Sequence, residues 1–265
     1  MRADSFFILT KERDFIMKKF ILLIAVTLLA ATCCYADDSS IPASKGYELA
    51  TTPTSEMYAK NWRRFWGPRY MEKAQFTYEN AQKIDMVFVG DSITHFWDTT
   101  GKEVAAAKFP NHTILNLGFS GDRTQHTIWT TSQKDIWSKI DPKLITLMIG
   151  TNNIGWNESD AVSTLAGTKI ILANLRKNAP NAKILLFAIF PRGKDKTDRF
   201  RPQIDIVNAA LPSLADGENI IFVNINDKLM NADGTISKDM MPDFLHPAAP
   251  GYEIWADAIK PYINW

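Results

Sequence analysis

Residues 84–92 read Ile-Asp-Met-Val-Phe-Val-Gly-Asp-Ser, an apolar run that ends in a turn-forming tripeptide. The run predicts a buried strand, and Gly90-Asp91-Ser92 predicts a tight turn into a helix. A serine on such a turn is lifted out of the sheet, beside the N–H groups of a helix start. Gly-Asp-Ser is also common in ordinary turns, so a purely structural interpretation remains open for these residues alone.

The same apolar pattern recurs four times along the chain. Further short apolar runs lie at 113–117, 144–149, 183–189 and 220–225, and helix-length segments lie at about 124–139, 158–178, 202–215 and 250–262. Near-continuous apolar strands between helices are typical of a parallel sheet covered on both faces. We therefore predict an α/β fold, a three-layer α/β/α sandwich with a five-stranded parallel sheet, formed by one domain over residues 84–265.

Polar and glycine-rich motifs follow the first three predicted strands. Strand two ends in Asn-Leu-Gly-Phe-Ser-Gly-Asp (116–122), and strand three ends in Gly-Thr-Asn-Asn (150–153). Because ligands bind at the carboxyl ends of parallel strands, we expect these motifs to lie near Ser92. An exposed N–H at Gly121 and the side-chain amide of Asn152 are both suitable donors to an oxyanion. Taken singly, each motif is also compatible with turn chemistry.

A histidine and an aspartate come together near the end of the chain. Residues 241–247 read Met-Pro-Asp-Phe-Leu-His-Pro, with two prolines that keep the segment out of a helix. An Asp three residues before a His can fold back and accept the Nδ1 proton, which leaves Nε2 free to act as a base toward a serine. The alternative for Asp243 and His246 is an exposed ion pair in a loop.

These four blocks, in this order and spacing, resemble the SGNH, or GDSL-type, hydrolase family. Within it the chain is most similar to esterases like the platelet-activating factor acetylhydrolase catalytic subunits, which also carry Pro-Arg-Gly after an apolar strand (here 191–193) and Asp-Phe-Leu-His. The resemblance covers about residues 84–262. It implies a flavodoxin-like sandwich, a Ser-His-Asp triad, and no metal or other cofactor. Two departures are Ile93, where Leu is usual, and Asn153, where many members have Asp.

The resemblance also implies roles for individual residues. Ser92 corresponds to the nucleophile, His246 to the base and Asp243 to the residue that orients the base. The Ser92 N–H, the Gly121 N–H and the Asn152 amide correspond to the oxyanion hole.

Four residues beside these motifs are candidate substrate contacts: Asp91, Trp97, Arg123 and Asn153. Ordinary packing is the alternative for Trp97 and Arg123. His95, one turn after Ser92, is interpreted as a surface residue, although it could also line the pocket.

The N-terminus matches a secretory signal peptide. Lys18-Lys19 precede an apolar run at 20–31 and then small residues up to Ala36. We predict a signal peptide over residues 1–36, with Met17 as an alternative start and residues 1–16 as an upstream extension. The mature chain is then secreted or periplasmic, without a stable membrane span, and lipid attachment at Cys33 or Cys34 is the alternative. Both cysteines of the chain lie in this segment, so a mature chain would contain no disulfide or thiolate ligand.

Residues 37–83 are expected to form an N-terminal tether followed by a helical segment. The tether covers about 37–54, and the helical part, about 55–82, carries Tyr58, Trp62, Trp66 and Tyr70 at a spacing of four. This spacing favours an aromatic stripe that packs on the core, with a carbohydrate-contacting ridge as the alternative.

The composition is that of a globular protein. The 265 residues are 46% apolar and 22% charged, and the formal charge of +1 gives no electrostatic footprint for nucleic acid. From the motifs, the family resemblance and the predicted signal peptide, we expect an exported serine esterase that removes a short acyl group, acetyl above all, from a glycan or other small-molecule ester. The alternatives are a phospholipid or lysophospholipid acylhydrolase, a non-catalytic glycan-binding protein, and a metal-dependent phosphoesterase. The phosphoesterase would use five residues: Asp91, Asp122, Asn152, Asp243 and His246.

Overall fold

A five-stranded parallel sheet forms the centre of the protein. The computed structural model describes residues 45–55, 65–157 and 159–265, and Ser44–Trp265 forms one compact unit. The strands are β1 (Ile84–Gly90), β2 (Thr113–Gly118), β3 (Leu144–Met148), β4 (Lys183–Phe187) and β5 (Ile220–Val223). Their order in the sheet is β2-β1-β3-β4-β5, with every neighbouring pair parallel. The predicted signal peptide lies outside the described residues, as do Tyr58 and Trp62.

Helices flank this sheet and connect its strands. They are α1 (Lys45–Thr51), α2 (Trp66–Asn80), α3 (Ser92–His95), α4 (Lys102–Lys108), α5 (Thr124–Thr131), α6 (Lys134–Trp137), α7 (Thr151–Gly155), α8 (Ala161–Asn178), α9 (Arg201–Ala210), α10 (Asn226–Leu229) and α11 (Ala249–Ile259). Short 3-10 turns cover Phe96–Asp98, Leu211–Leu214 and Lys260–Tyr262. In the part of the chain that the structure describes, no helix is long and apolar enough to cross a membrane.

Two hydrophobic clusters cover the two faces of the sheet. Along β1, Val87 and Val89 belong to one cluster, and Met86 and Phe88 belong to the other. This alternation follows from the two-residue period of a strand, and burial on both faces explains why the strand sequences are almost continuously apolar. The predicted α/β/α sandwich with five parallel strands is confirmed.

The aromatic stripe before the first strand belongs to the core. Trp66 and Tyr70 of α2 are almost fully buried. Their rings stack with centroids 5.8 Å apart, and Trp66 also stacks on Phe119 at 4.7 Å. For these two residues the packing interpretation is confirmed.

Part of the segment expected to be a tether is helical. Helix α1 buries Ala50 and contributes its carbonyl oxygen to a 2.8 Å hydrogen bond from the Thr124 hydroxyl. Close packing is possible because Gly167 of α8 has no side chain, since a Cβ there would lie 2.5 Å from the Ala50 carbonyl oxygen. A polar composition predicted a tether, but close packing on Gly167 and the hydrogen bond from Thr124 hold this short helix against the rest of the domain. The domain boundary at residue 84 stays a prediction.

Two helices are shorter than expected for local reasons. The segment 124–139 is divided into α5 and α6, because Gln133 adopts an extended backbone with ψ 113°. Helix α9 ends at Ala210 because Pro212 has no N–H to continue it, and a 3-10 turn follows.

The buried Thr146 hydroxyl in β3 offers a test of core energetics. Among the described residues its Oγ1 has no hydrogen-bond partner, although the side chain is only 1% exposed. We expect Thr146→Val to raise the free energy of unfolding by about 1 kcal/mol, because the valine keeps the shape and removes an unpaired hydroxyl. Urea denaturation measures this change.

Thr131 of α5 provides the matched control. Its buried hydroxyl donates to the Thr127 carbonyl oxygen at 2.8 Å, so Thr131→Val should lower stability by about 1 kcal/mol. Equal effects of the two substitutions would contradict the assignment of Thr146.

Candidate active site

Ser92 lies at the junction between β1 and α3. The strand ends at Gly90, Asp91 accepts a 3.0 Å hydrogen bond from the Ile93 N–H, and Ser92 is the first residue of the helix. Gly90 is required here, because a Cβ would lie 2.3 Å from the Met148 carbonyl oxygen. The sharp strand-to-helix turn predicted from the sequence is therefore present.

The loop from Asp243 to His246 orients its own histidine. One carboxylate oxygen of Asp243 accepts the backbone N–H groups of Leu245 and His246, at 3.0 and 2.8 Å. Its other oxygen lies 2.6 Å from His246 Nδ1. Phe244 allows this fold-back with a left-handed φ of 59°, and its carbonyl oxygen accepts the Gly193 N–H at 2.8 Å. The loop is thus held by hydrogen bonds among its own residues and by one hydrogen bond from Gly193.

The two elements meet through one hydrogen bond. His246 Nε2 lies 2.8 Å from Ser92 Oγ, although 154 positions separate the two residues in sequence. The Phe96 ring lies against the imidazole, with centroids 4.9 Å apart. A serine hydroxyl, an imidazole and a carboxylate connected in this order can transfer a proton away from the serine and return it.

Sheet order places candidate oxyanion donors on both sides of Ser92. Gly121 follows β2, Asn152 is the second residue of α7 after β3, and these two strands are the neighbours of β1. The Asn152 side-chain amide donates to the Asp122 carbonyl oxygen at 2.9 Å. An amide has a second N–H, so this bond connects the two loops while one donor remains for a ligand.

All four candidate substrate contacts are buried, with Arg123 the most exposed of them at 8%. Asp91 and Asn153 are fully buried, and Trp97 is 3% exposed. Trp97 packs in the core against Tyr252 and Trp255, with ring centroids 4.7 and 5.3 Å away. Asn153 is engaged with Thr124, whose N–H and hydroxyl it binds at 2.9 and 2.8 Å. The side chains of Asp91, Trp97 and Asn153 are therefore engaged by packing and hydrogen bonds within the protein.

Arg123 is the candidate that lies next to an exposed aromatic residue. Its guanidinium lies 4.8 Å from the centre of the Trp156 ring, and Trp156 is 44% exposed. A substrate contact for Arg123 stays a prediction.

The two aspartates of the motifs differ in their electrostatics. Burial raises the pKa of Asp91 to about 7, against the opposing influence of Arg192 and the Ile93 N–H. Burial also acts on Asp243, but hydrogen bonds from His246 and from backbone N–H groups lower its pKa. Asp243 is therefore the carboxylate suited to stabilise a positively charged imidazole.

The aspartates named for the alternative metal site lie in different surroundings. Asp91 is buried at the start of α3, and Asp122 Oδ1 accepts the Trp66 indole N–H at 2.7 Å. Among residues 45–55, 65–157 and 159–265, no three His, Cys, Asp or Glu side chains form a group that could hold a metal ion.

Several supporting residues were not identified from the sequence. His95, interpreted as a surface residue, is half-buried, with Nδ1 2.9 Å from Ser120 Oγ. Asn116 donates to the carbonyl oxygens of Thr94 and His95, at 3.1 and 3.2 Å. A polar Asn inside an apolar strand was the available signal. Arg192, noted above only as part of the Pro-Arg-Gly motif, donates to the Thr151 carbonyl oxygen at 3.1 Å.

Comparison with known proteins identifies the family of the chain. The GDSL-like Lipase/Acylhydrolase family matches residues 88–254, which include Ser92, Gly121, Asn152, Asp243 and His246. The chain belongs to this family. It is therefore an esterase or acylhydrolase, and the resemblance inferred from the four blocks is confirmed.

Relatives of this GDSL-like hydrolase include the platelet-activating factor acetylhydrolase IB subunit alpha2 of Rattus norvegicus. The two are 33% identical over 172 residues, 63% of this chain and 71% of the relative. The human alpha1 subunit is 30% identical over 171 residues, which cover 63% of this chain and 70% of that one.

Solved structures share the fold of this GDSL-like hydrolase. A GDSL-like lipase from Bacteroides thetaiotaomicron has a TM-score of 0.58 at 20% identity, over 72% of this chain and 97% of the other. An acetylxylan esterase from Geobacillus stearothermophilus has a TM-score of 0.54 at 18% identity, over 68% and 94%.

The buried Asp91 predicts a dependence of stability on pH. Because the folded protein holds the Asp91 proton more tightly than the unfolded chain, this residue stabilises the fold most at acidic pH. The contribution is lost as the pH rises through about 7. Asp91→Asn removes the ionisation and keeps an oxygen for the Ile93 N–H. Its stability relative to the wild type should therefore increase between about pH 5 and about pH 8, as measured by urea denaturation.

Asp216→Asn is the control. Backbone hydrogen bonds lower the pKa of this exposed residue to about 2, so Asp216 is ionised throughout that range. The difference in unfolding free energy between Asp216→Asn and the wild type should therefore stay constant over that pH range. The same constancy in Asp91→Asn would contradict the raised pKa.

Proposed function

We propose that the protein is an exported serine esterase that removes a short acyl group, acetyl above all, from a carbohydrate or other small ester. The observation that carries this proposal is the continuous chain of hydrogen bonds at the sheet edge. Ser92 Oγ, the His246 ring and the Asp243 carboxylate are connected by contacts of 2.8 and 2.6 Å.

The proposed reaction has two halves. Ser92 Oγ attacks the ester carbonyl carbon while His246 Nε2 takes its proton, and the imidazolium is stabilised by Asp243. The C–O bond to the alcohol then breaks, and His246 returns the proton to the departing alkoxide. Water repeats the sequence on the acyl-enzyme, which releases the carboxylic acid and restores Ser92.

Negative charge develops on the carbonyl oxygen in both halves. The N–H groups of Ser92 and Gly121 and the second N–H of Asn152 are the proposed donors to it. Neither of the two backbone N–H groups is engaged elsewhere in the described part of the chain. Loss of one such donor typically costs about 3 kcal/mol of transition-state stabilisation.

Two kinds of support favour an acetyl group. The named relatives are acetylhydrolases, and one protein that shares the fold is an acetylxylan esterase. Export is supported by the sequence pattern of residues 17–36.

A phospholipid acylhydrolase is the second candidate, favoured by 33% identity to a platelet-activating factor acetylhydrolase subunit. Acetate release from acetylated xylo-oligosaccharides and from a 2-acetyl glycerophosphocholine distinguishes the two substrates. Faster turnover of the lipid would replace the carbohydrate proposal.

Removal of the nucleophile tests the reaction class. Ser92→Ala should lower kcat on p-nitrophenyl acetate by at least about a thousandfold, because the variant lacks the hydroxyl that forms the acyl-enzyme. A serine-directed phosphonate should add mass to the wild type at Ser92 and leave the variant unmodified.

The control is Ser213→Ala at an exposed serine, which should retain full activity. Activity that survives in Ser92→Ala would overturn the proposal. Hydrolysis of p-nitrophenyl phosphate that is lost to a chelator and restored by a divalent metal would favour the metal-dependent phosphoesterase.

Substitution of Asp243 tests whether its carboxylate assists His246 in proton transfer. Asp243→Asn should lower kcat by about a hundredfold to ten-thousandfold, because an amide no longer stabilises the imidazolium and permits the wrong tautomer. Steady-state kinetics on the same ester measure this change. Asp239→Asn, at a nearby exposed aspartate, should be neutral, and equal activity of the two variants would exclude Asp243 from proton transfer.

A further inference from the structure

The Gly121 N–H belongs to a tight turn. The Asp122 N–H donates to the Phe119 carbonyl oxygen at 3.1 Å, and Gly121 has a φ of 84°. A φ of about +80° at the third position is typical of a type II turn, in which the central peptide is flipped relative to type I. Here the central peptide joins Ser120 and Gly121, so its orientation decides where the Gly121 N–H points.

The base of this turn is fixed to the sheet. The Phe119 N–H donates to the Gly90 carbonyl oxygen at 3.1 Å, and the Gly118 N–H donates to the Asn116 side chain at 2.9 Å. These bonds hold the start of the loop beside β1. They do not act on the Ser120–Gly121 peptide itself.

The tip of the turn is held by a different contact. Ser120 Oγ lies 2.9 Å from His95 Nδ1, and His95 is the last residue of the helix that begins with Ser92. The backbone of His95 is itself fixed, since its N–H donates to the Asp91 carbonyl oxygen at 2.8 Å and its carbonyl oxygen accepts from Asn116 at 3.2 Å. A side-chain hydrogen bond therefore connects helix α3, which carries Ser92, to Ser120 in the turn.

The imidazole of His95 is suited to a positional role. Burial lowers its pKa to about 4, with a further contribution from Arg69. The ring is neutral at neutral pH and places no positive charge beside the turn.

We propose that His95 and Ser120 are a pair of positioning residues. Their hydrogen bond holds the Ser120–Gly121 peptide in the flipped orientation and so aims the Gly121 N–H at the oxyanion formed when Ser92 attacks. This inference rests on the proposed function. Neither residue touches the reacting atoms.

Kinetics on p-nitrophenyl acetate test the pair through Ser120→Ala, His95→Ala and the double variant. We expect kcat to fall about 10- to 100-fold in each, less than for complete loss of an oxyanion donor. KM should change by less than about threefold, because a misplaced donor acts on the transition state. The double variant should be no worse than either single one, because both remove the same bond.

A conservative substitution at His95 distinguishes loss of the hydrogen bond to Ser120 from loss of side-chain volume. In His95→Asn a side-chain amide replaces the ring atom that contacts Ser120, so at least about a tenfold recovery of kcat over His95→Ala is expected. The matched controls are His112→Ala and His112→Asn, because His112 Nδ1 lies 2.7 Å from Asp85 Oδ2 at the amino end of β1. They should retain the wild-type kcat. Thermal unfolding establishes that each variant is folded at the assay temperature.

The nuclear magnetic resonance signal of the Gly121 N–H provides a readout that does not need turnover. This signal should shift in Ser120→Ala and in His95→Ala. In His95→Asn it should lie closer to its wild-type position than in His95→Ala. Folded Ser120→Ala with wild-type kcat and an unshifted Gly121 signal would overturn the pair, as would independent, multiplying losses in the double variant. Activity that survives in Ser92→Ala would instead overturn the proposed function, and the Gly121 signal would still decide whether the pair positions the turn.

Discussion

The close contact between the ends of β1 and β2 and helix α3 sets the geometry of the whole site. A Cβ at Gly90 would lie 2.3 Å from the Met148 carbonyl oxygen, and one at Gly118 would lie 2.3 Å from the His95 backbone nitrogen. The end of β2 therefore packs backbone against backbone on the helix that begins with Ser92, and the end of β1 packs against the β3 backbone and the Thr94 side chain of that helix. Because such packing leaves no free volume, the helix has one position relative to the sheet. The position of the helix in turn determines how the loops that follow β2 and β3 lie relative to Ser92.

Polar groups beneath Ser92 are buried, at a cost in stability. Among the described residues, Asp91 Oδ2 and Thr94 Oγ1 have no hydrogen-bond partner, and each such group costs about 1–3 kcal/mol. Other contacts offset part of this cost, including the 2.7 Å hydrogen bond from the Tyr252 hydroxyl to the Ile93 carbonyl oxygen. The two apolar clusters on the faces of the sheet supply the remaining stability. Burial of unsatisfied groups beside a candidate nucleophile is compatible with a functional site, where geometry takes precedence over local stability.

Much of the fold and of the candidate site was predictable from local patterns. Apolar runs located all five strands, since a strand buried on both faces must be apolar throughout. Spacing alone paired Asp243 with His246. The patterns failed where a residue's environment depends on distant chain segments: Trp97 and Asn153 lie close to motifs in sequence, yet their side chains point into the core. His95 shows the reverse error, because its partner Ser120 lies 25 positions away.

The sequence by itself determined the chemistry available and the elements that carry it. It specified a serine at a strand-to-helix turn, a self-orienting Asp-His pair, and glycine and amide donors after two other strands. Only the tertiary structure decided which of these groups meet. The order β2-β1-β3 places Ser92 between Gly121 and Asn152, and folding across 154 positions brings His246 within 2.8 Å of Ser92. The physical reason is that local patterns encode burial and turns, whereas distances between side chains depend on how whole layers pack.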